Sequence, residues 1–296
     1  MKKILFTLLL LLLGGNAHAA LNVFACEPEW AALTQLLAGD KASIYTATSA
    51  LQDPHRVEAR PSLIARARRA DLLICTGAGL ETAWLPVIVR ESGNAAIRPA
   101  NSGYFEAARY VQMLEVPARL DRGDGDVHAA GNPHIQTDAR NFLPIADALS
   151  KRLILLDAAN TGYYQQQLAA FNSQWRAAIA RWEKQAVPLK GVAIVAQHHG
   201  FPYINNWLGL KQVATLEAKP GMEPGAAHLG RVLNEVQQAR MVLRAAYQDE
   251  RPSAWIAQRA RISAVVLPYT VGGTAQATDL YSLFDDTIQR LLAGLK

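Results

Sequence analysis

Asn160–Gln185 reads NTGYYQQQLAAFNSQWRAAIARWEKQ, and its interpretation settles the architecture. Leu168, Phe171, Trp175, Ile179 and Trp182 recur at spacings of three or four, which is one apolar stripe of an α-helix. The only glycine, Gly162, falls in the first turn, and Pro188 stands just past the end. At 1.5 Å per residue such a helix is ~39 Å long, about the length of a small protein. It predicts a connector, and the chain on either side of it repeats one rhythm. Upstream, apolar strands at Leu21–Ala25, Ala42–Tyr45 and Leu72–Cys75 alternate with helices at Glu29–Leu37, Pro61–Ala70 and Thr82–Ser92. The glycine-rich stretch Pro99–Asn132 is less regular, and Asn141–Leu156 is helical again. Downstream, strands at Gly191–Ala196, Gln212–Leu216, Met241–Ala245 and Ala264–Pro268 alternate with helices at Tyr203–Leu208, Ala226–Ala239, Pro252–Arg259 and Ala277–Leu295. Alternation of this kind predicts parallel sheets covered on both faces. The expected fold is α/β, with two lobes, each a parallel sheet flanked by helices, joined by one long rigid helix. The expected boundaries are an N-terminal lobe over 20–157, the connecting helix over 158–187 and a C-terminal lobe over 188–296.

Residues 1–19 stand outside this scheme. Lys2 and Lys3 form a basic head, Ile4–Leu13 is apolar apart from Thr7, and Ala17-His18-Ala19 is a small-residue cleavage site, the layout of a secretory signal peptide. The apolar run is too short to span a bilayer. Cleavage after Ala19 removes two of the 30 basic residues and none of the 25 acids, so the net charge of +5 falls by two. Such a mild balance excludes the concentrated basic face of a nucleic-acid binder. A bacterial leader places the mature chain in the periplasm as a soluble protein, expected to be a monomer. That compartment is oxidising. The two cysteines, Cys26 and Cys75, each end a strand, so they are either a disulfide or two buried free thiols.

The chemistry lies in the histidines. Of the seven, His18 leaves with the leader. His55 follows Asp53-Pro54, His134 follows Asn132-Pro133, and His198-His199 follow the strand Gly191–Ala196. An open α/β sheet presents its ligands at such strand and loop ends. A preceding proline fixes the direction of the backbone. Histidine is the commonest metal ligand, and three imidazoles make a zinc site. Neither a His-Glu-x-x-His helix nor paired Cys-x-x-Cys spacing is present.

Several segments, in order along the chain, resemble the metal-binding solute receptors of bacterial ABC transporters, the zinc-uptake receptors and their manganese-binding relatives. Asp53-Pro54-His55 with Glu58 and Pro61-Ser62 resembles the first ligand motif of that family. Ala70-Asp71-Leu72 and Gly79-Leu80-Glu81 resemble two further segments, and Asn132-Pro133-His134 stands where the family has a second Asp-Pro-His. Gln197-His198-His199-Gly200-Phe201-Pro202-Tyr203, followed by Leu208-Gly209-Leu210, resembles the third, in which the residue order selects His198 over His199. Glu223-Pro224 matches a structural turn. The resemblance implies a metal in the cleft between the lobes, held by His55 and His134 from the first and His198 from the second. It also implies a membrane permease of an ABC transporter as partner, with no reaction catalysed.

Two departures bear on the site. Thr270, in Leu267–Gly273, stands where a carboxylate ligand is expected, so the fourth position falls to Asp279 or to water. Asp279 also reads as a helix-start residue. In place of a long His- and acid-rich loop there is only Gly123–His128, either a reduced capture loop or, as its glycines and aspartates favour, a solvated turn. His199 reads as a neighbour of the site or a surface residue, and His228 as a residue on a helix surface. Three neutral imidazoles favour Zn²⁺ as the transported ligand, whereas Mn²⁺ prefers oxygen. The expected function is therefore zinc capture and delivery. A manganese or other divalent-metal receptor of the same family is the alternative. A secreted zinc hydrolase, with Glu58 or Glu81 as base, is the alternative of another class.

Overall fold

The computed structural model describes residues 20–119, 123 and 125–295, so the leader reading of 1–19 lies outside the described residues, as does Asp124. The first lobe contains β1 (Leu21–Ala25), α1 (Pro28–Ala38), β2 (Ala42–Thr46), α2 (Pro61–Ala67), β3 (Leu72–Cys75), α3 (Leu85–Ser92), β4 (Tyr104–Glu106) and α4 (Phe142–Leu156). The connector is α5 (Thr161–Gln185). The second lobe contains β5 (Ala193–Ala196), α6 (Pro202–Leu208), β6 (Lys211–Thr215), α7 (Ala226–Glu235), β7 (Met241–Ala245), α8 (Glu250–Ala260), β8 (Ser263–Leu267) and α9 (Leu280–Ala293). Among the described residues no helix is long and apolar enough to cross a membrane.

Both sheets are wholly parallel, and they share one plan: β2-β1-β3-β4 in the first lobe and β6-β5-β7-β8 in the second. Strand order reverses between β1 and β3 and again between β5 and β7, and the crevice outside the carboxyl ends at such a point is where open α/β sheets bind ligands. The fourth strand of the first sheet, β4, lies in the stretch that looked irregular in sequence. It is three residues long and pairs Tyr104–Glu106 with Leu73–Cys75.

The stripe on α5 decides how the lobes join. Phe171, Trp175, Ile179 and Trp182 are buried, Tyr164 extends the stripe, and Leu168 packs at its margin. One continuous core runs from β1 and α1, through α4 and α5, into β5, β7 and α9. Each sheet carries a separate apolar cluster on its other face. Trp175 is the hub, with its ring 4.9–5.6 Å from Phe142, Phe171, Trp182, Tyr281 and Phe284. A helix packed along its length against both lobes is a strut rather than a tether.

Cys26 and Cys75 are joined as a disulfide, with Cα atoms 4.8 Å apart. That distance is the spacing of adjacent strands, and the N–H of Cys26 donates to the carbonyl of Ile74. Trp30, Trp84 and Trp207 are core residues.

Candidate metal centre

His55 lies in the loop after β2. The Asp53 carboxylate accepts from the backbone N–H of His55 at 3.0 Å and from its Nδ1 at 2.8 Å, and Trp84 Nε1 donates to the Pro54 carbonyl at 2.9 Å. The turn and its proline thus fix both the backbone and the ring. His134 ends the long passage after β4, and its N–H donates to Asn132 Oδ1 at 3.1 Å. His198 follows β5 after one residue, and its Nδ1 lies 2.8 Å from Glu217 Oε2. The N–H of Gly221 donates to that same carboxylate oxygen.

These three histidines, all buried, place one ring nitrogen each within 4.8 Å of the other two. His134 Nε2 and His198 Nε2 are 3.3 Å apart. A tetrahedral ion with bonds of 2.0–2.1 Å separates its donors by about 3.3 Å. Nε2 of His55 and Nδ1 of His134 are buried without a hydrogen-bond partner. A carboxylate at Nδ1 fixes the tautomer and turns the Nε2 lone pair inward, the usual preparation of a metal ligand. His55 and His198 both carry it.

The electrostatics agree. Burial, followed by the neighbouring imidazoles, holds His134 well below the ordinary histidine value, so its lone pair is free at neutral pH. Burial would raise the Asp53 carboxyl, but the hydrogen bond and charge of His55 outweigh it and hold that group below its usual value. Two cavities, of 890 and 570 Å³, are both lined by His55 and Asp126. The smaller one is lined by Asp53, Asp126, Glu217 and Glu223, an acidic approach for a cation.

The remaining candidates lie elsewhere. Asp279 is outside the histidine group. Its carboxylate accepts from the N–H of Ser282 at 2.8 Å, Ser282 Oγ accepts from the N–H of Asp279 in return, and this reciprocal box starts α9. Thr270 donates to Glu29 at 2.5 Å across the lobes. His199 pairs with Glu115 at 2.9 Å, and that hydrogen bond raises its pKa. His228, on α7, bonds the Thr215 carbonyl. Cys26, Cys75 and Glu81 form a second close group, but the two sulfurs are bonded to each other. His128 departs from the solvated-turn reading. It is half-buried, its ring centroid is 5.4 Å from that of His55, and burial followed by His55 pushes its pKa down to about 4.

Sequence reasoning missed Glu217, which stands 19 residues beyond His198 with no motif to mark it. It also missed Tyr269. The ring of Tyr269 lies 5.5 Å from that of His134, its hydroxyl donates to the Gly200 carbonyl, and its φ is +69°. A tyrosine held in the left-handed region beside a site signals a constraint imposed by its surroundings.

The comparisons with known proteins point the same way. The family model described as "Zinc-uptake complex component A periplasmic" matches residues 23–294. The manganese ABC transporter substrate-binding lipoprotein PsaA of Streptococcus pneumoniae is 24% identical over 286 residues, covering 93% of this chain and 89% of its own length. The metal ABC transporter substrate-binding lipoprotein FimA of Streptococcus parasanguinis is 24% identical over 305 residues, covering 99% and 95%. A crystal structure of ZnuA superposes with a TM-score of 0.79 at 20% identity, covering 94% of this chain and all of that one. A zinc-bound ZnuA deletion mutant gives 0.78 at 21% identity, covering 94% and 99%. The chain belongs to this family of periplasmic metal receptors, non-catalytic solute-binding proteins that pass a divalent metal ion to an ABC permease.

Proposed function

We propose that the cargo is Zn²⁺ and that His55, His134 and His198 are its ligands. The observation carrying this reading is the convergence of three buried imidazole nitrogens, two of them oriented by carboxylates that are thereby engaged at Nδ1. An all-nitrogen group suits zinc, whereas manganese prefers oxygen donors. Several streptococcal relatives bear the name of manganese receptors, so manganese is the rival cargo. Thr270, whose hydroxyl is committed to Glu29, adds no carboxylate oxygen that would favour it.

The test is competitive titration of the metal-stripped chain with Zn²⁺ and Mn²⁺, with His198→Ala alongside. One Zn²⁺ per chain is expected, lost in the variant and not displaced by equimolar Mn²⁺. Preferential Mn²⁺ binding, or zinc binding indifferent to His198, would overturn the reading. Lobe boundaries at 20–157, 158–187 and 188–296 and docking of the permease on both lobe rims complete the proposal. Limited proteolysis on either side of α5 tests the boundaries.

A further inference from the structure

Three histidines at the cleft share one pattern, in which Nδ1 faces a neighbouring residue and Nε2 is the nitrogen left for a ligand. In His55 and His198 the partner is a carboxylate. In His128 it is Nδ1 that lies against the backbone of Gly79. Gly79 carries no Cβ, and one built there would stand 3.0 Å from this nitrogen. Nε2 of His128 is sealed from solvent and has no hydrogen-bond partner. A surface imidazole would turn that nitrogen to water, because a buried acceptor without a partner costs stability. A ring held by its surroundings at one nitrogen, with an open lone pair at the other, is the arrangement a metal-ligating histidine needs.

We infer that His128 is the fourth metal ligand, converting the three-histidine group into a four-imidazole site. This rests on the zinc reading above. The two positions from which a fourth ligand was expected are committed, Thr270, a hydroxyl in place of a carboxylate, to Glu29 and Asp279 to the start of α9. The turn carrying His128 already reaches the second lobe. The N–H of Asp126 donates to the Pro220 carbonyl at 2.9 Å, and Lys219 Nζ donates to the Gly123 carbonyl. The other three ligand nitrogens lie within 4.8 Å of one another, while His128 stands one ring further out, beside His55. Ligation therefore draws the Gly125–His128 turn inward and closes the side of the cleft that opens into the 890 Å³ cavity. Four neutral nitrogens leave no oxygen in the coordination shell, which selects for zinc over manganese.

The test is zinc-edge X-ray absorption on the zinc-loaded wild type and on His128→Ala, with affinities from chelator competition and circular dichroism to confirm folding. Four imidazoles in the wild type, three in the variant, and a loss of affinity of at least about tenfold are expected. Three imidazoles and an oxygen in the wild type, unchanged in His128→Ala, would overturn the inference and leave the zinc reading standing. A wild type that takes up no zinc, or one whose zinc survives His198→Ala, would overturn both.

Discussion

Glu217 touches no metal in this reading, yet it sets which nitrogen of His198 faces the cleft. Glu217→Ala is expected to weaken zinc binding about 10–100-fold at unchanged stoichiometry, the usual consequence of removing the partner of a ligating histidine. Glu217→Gln keeps an acceptor and loses only the charge, so its loss should be smaller. Chelator competition on both variants checks the order, and equal losses would show that the carboxylate charge decides rather than the hydrogen bond. Gly200 lies close to the same ring. A Cβ there would occupy the place of the Tyr269 hydroxyl and stand 3.1 Å from His198 Cδ2. Gly200→Ala is accordingly expected to lower zinc affinity while the chain stays folded, read by the same titration with circular dichroism. Prolines and a strand end mark His55, His134 and the His198-His199 pair in sequence, the family resemblance picks His198 from that pair, and the structure brings the three together. Their partners were legible only where they are close in the chain. Asp53 lies two residues from His55, but Glu217 meets His198 only after β6 has folded beside β5. Asp279 could be read either way in sequence, because an acid at a helix start serves a cap as readily as an ion, and the structure shows the cap.

At the scale of elements, α5 is the clearest test of packing. Trp175 is fully buried among five aromatic rings, and its Nε1 donates to the Ala139 carbonyl at 2.7 Å. Trp175→Ala should cost about 3–5 kcal/mol, as large aromatic truncations in cores do. Denaturant unfolding measures it, and a loss below about 1 kcal/mol would mean that this core collapses around the void. The carboxyl ends of β1 and β3 make a different prediction. Glu27 and Glu81 are both buried there and accept from the N–H of Thr76. Burial raises Glu81 to about 7 and, with the charge of Glu81, raises Glu27 well above its ordinary value. Folded Glu81 therefore keeps its proton from 4.5, where the unfolded chain releases it, up to about 7. The stability this contributes is complete below 4.5 and is lost as pH rises through 7. Glu81→Gln escapes the loss, so its melting temperature relative to wild type should be higher at pH 8 than at pH 5. A pH-independent difference in calorimetry would contradict the shift. Periodicity had placed the body of α5 correctly because an aromatic stripe at helical spacing is unambiguous. It began α3 at Thr82 instead of Leu85, because a turn around Gly77–Gly79, two of whose residues have positive φ values beyond +70°, delays the helix. It left β4 undefined because three residues give no alternation to read.

The whole molecule is braced across the cleft on more than one side. Thr270 donates to Glu29, Asn132 Nδ2 donates to the His199 carbonyl at 2.8 Å, Tyr203 donates to the Asn132 carbonyl at 2.8 Å, and Arg56 donates to the Gly221 carbonyl at 2.7 Å. Beneath these contacts the core runs unbroken through α5 from one lobe to the other. A hinge needs a few residues free to change their backbone angles while the bodies on either side stay intact. Here the connector is a packed helix, so opening the lobes as rigid bodies would expose Trp175 and Trp182 and break the braces together. Metal uptake and release should instead be confined to loops at the cleft, above all the Gly125–His128 turn and the segment of Tyr269. Small-angle scattering of metal-stripped and zinc-loaded protein is expected to give the same radius of gyration, near the ~19 Å of a compact chain of this size. Hydrogen exchange should slow on zinc binding around Gly79, Val127 and Tyr269 and stay unchanged along α5. A contraction seen by scattering, or exchange that changes within α5, would mean that the strut yields and that the lobes themselves close on the ion.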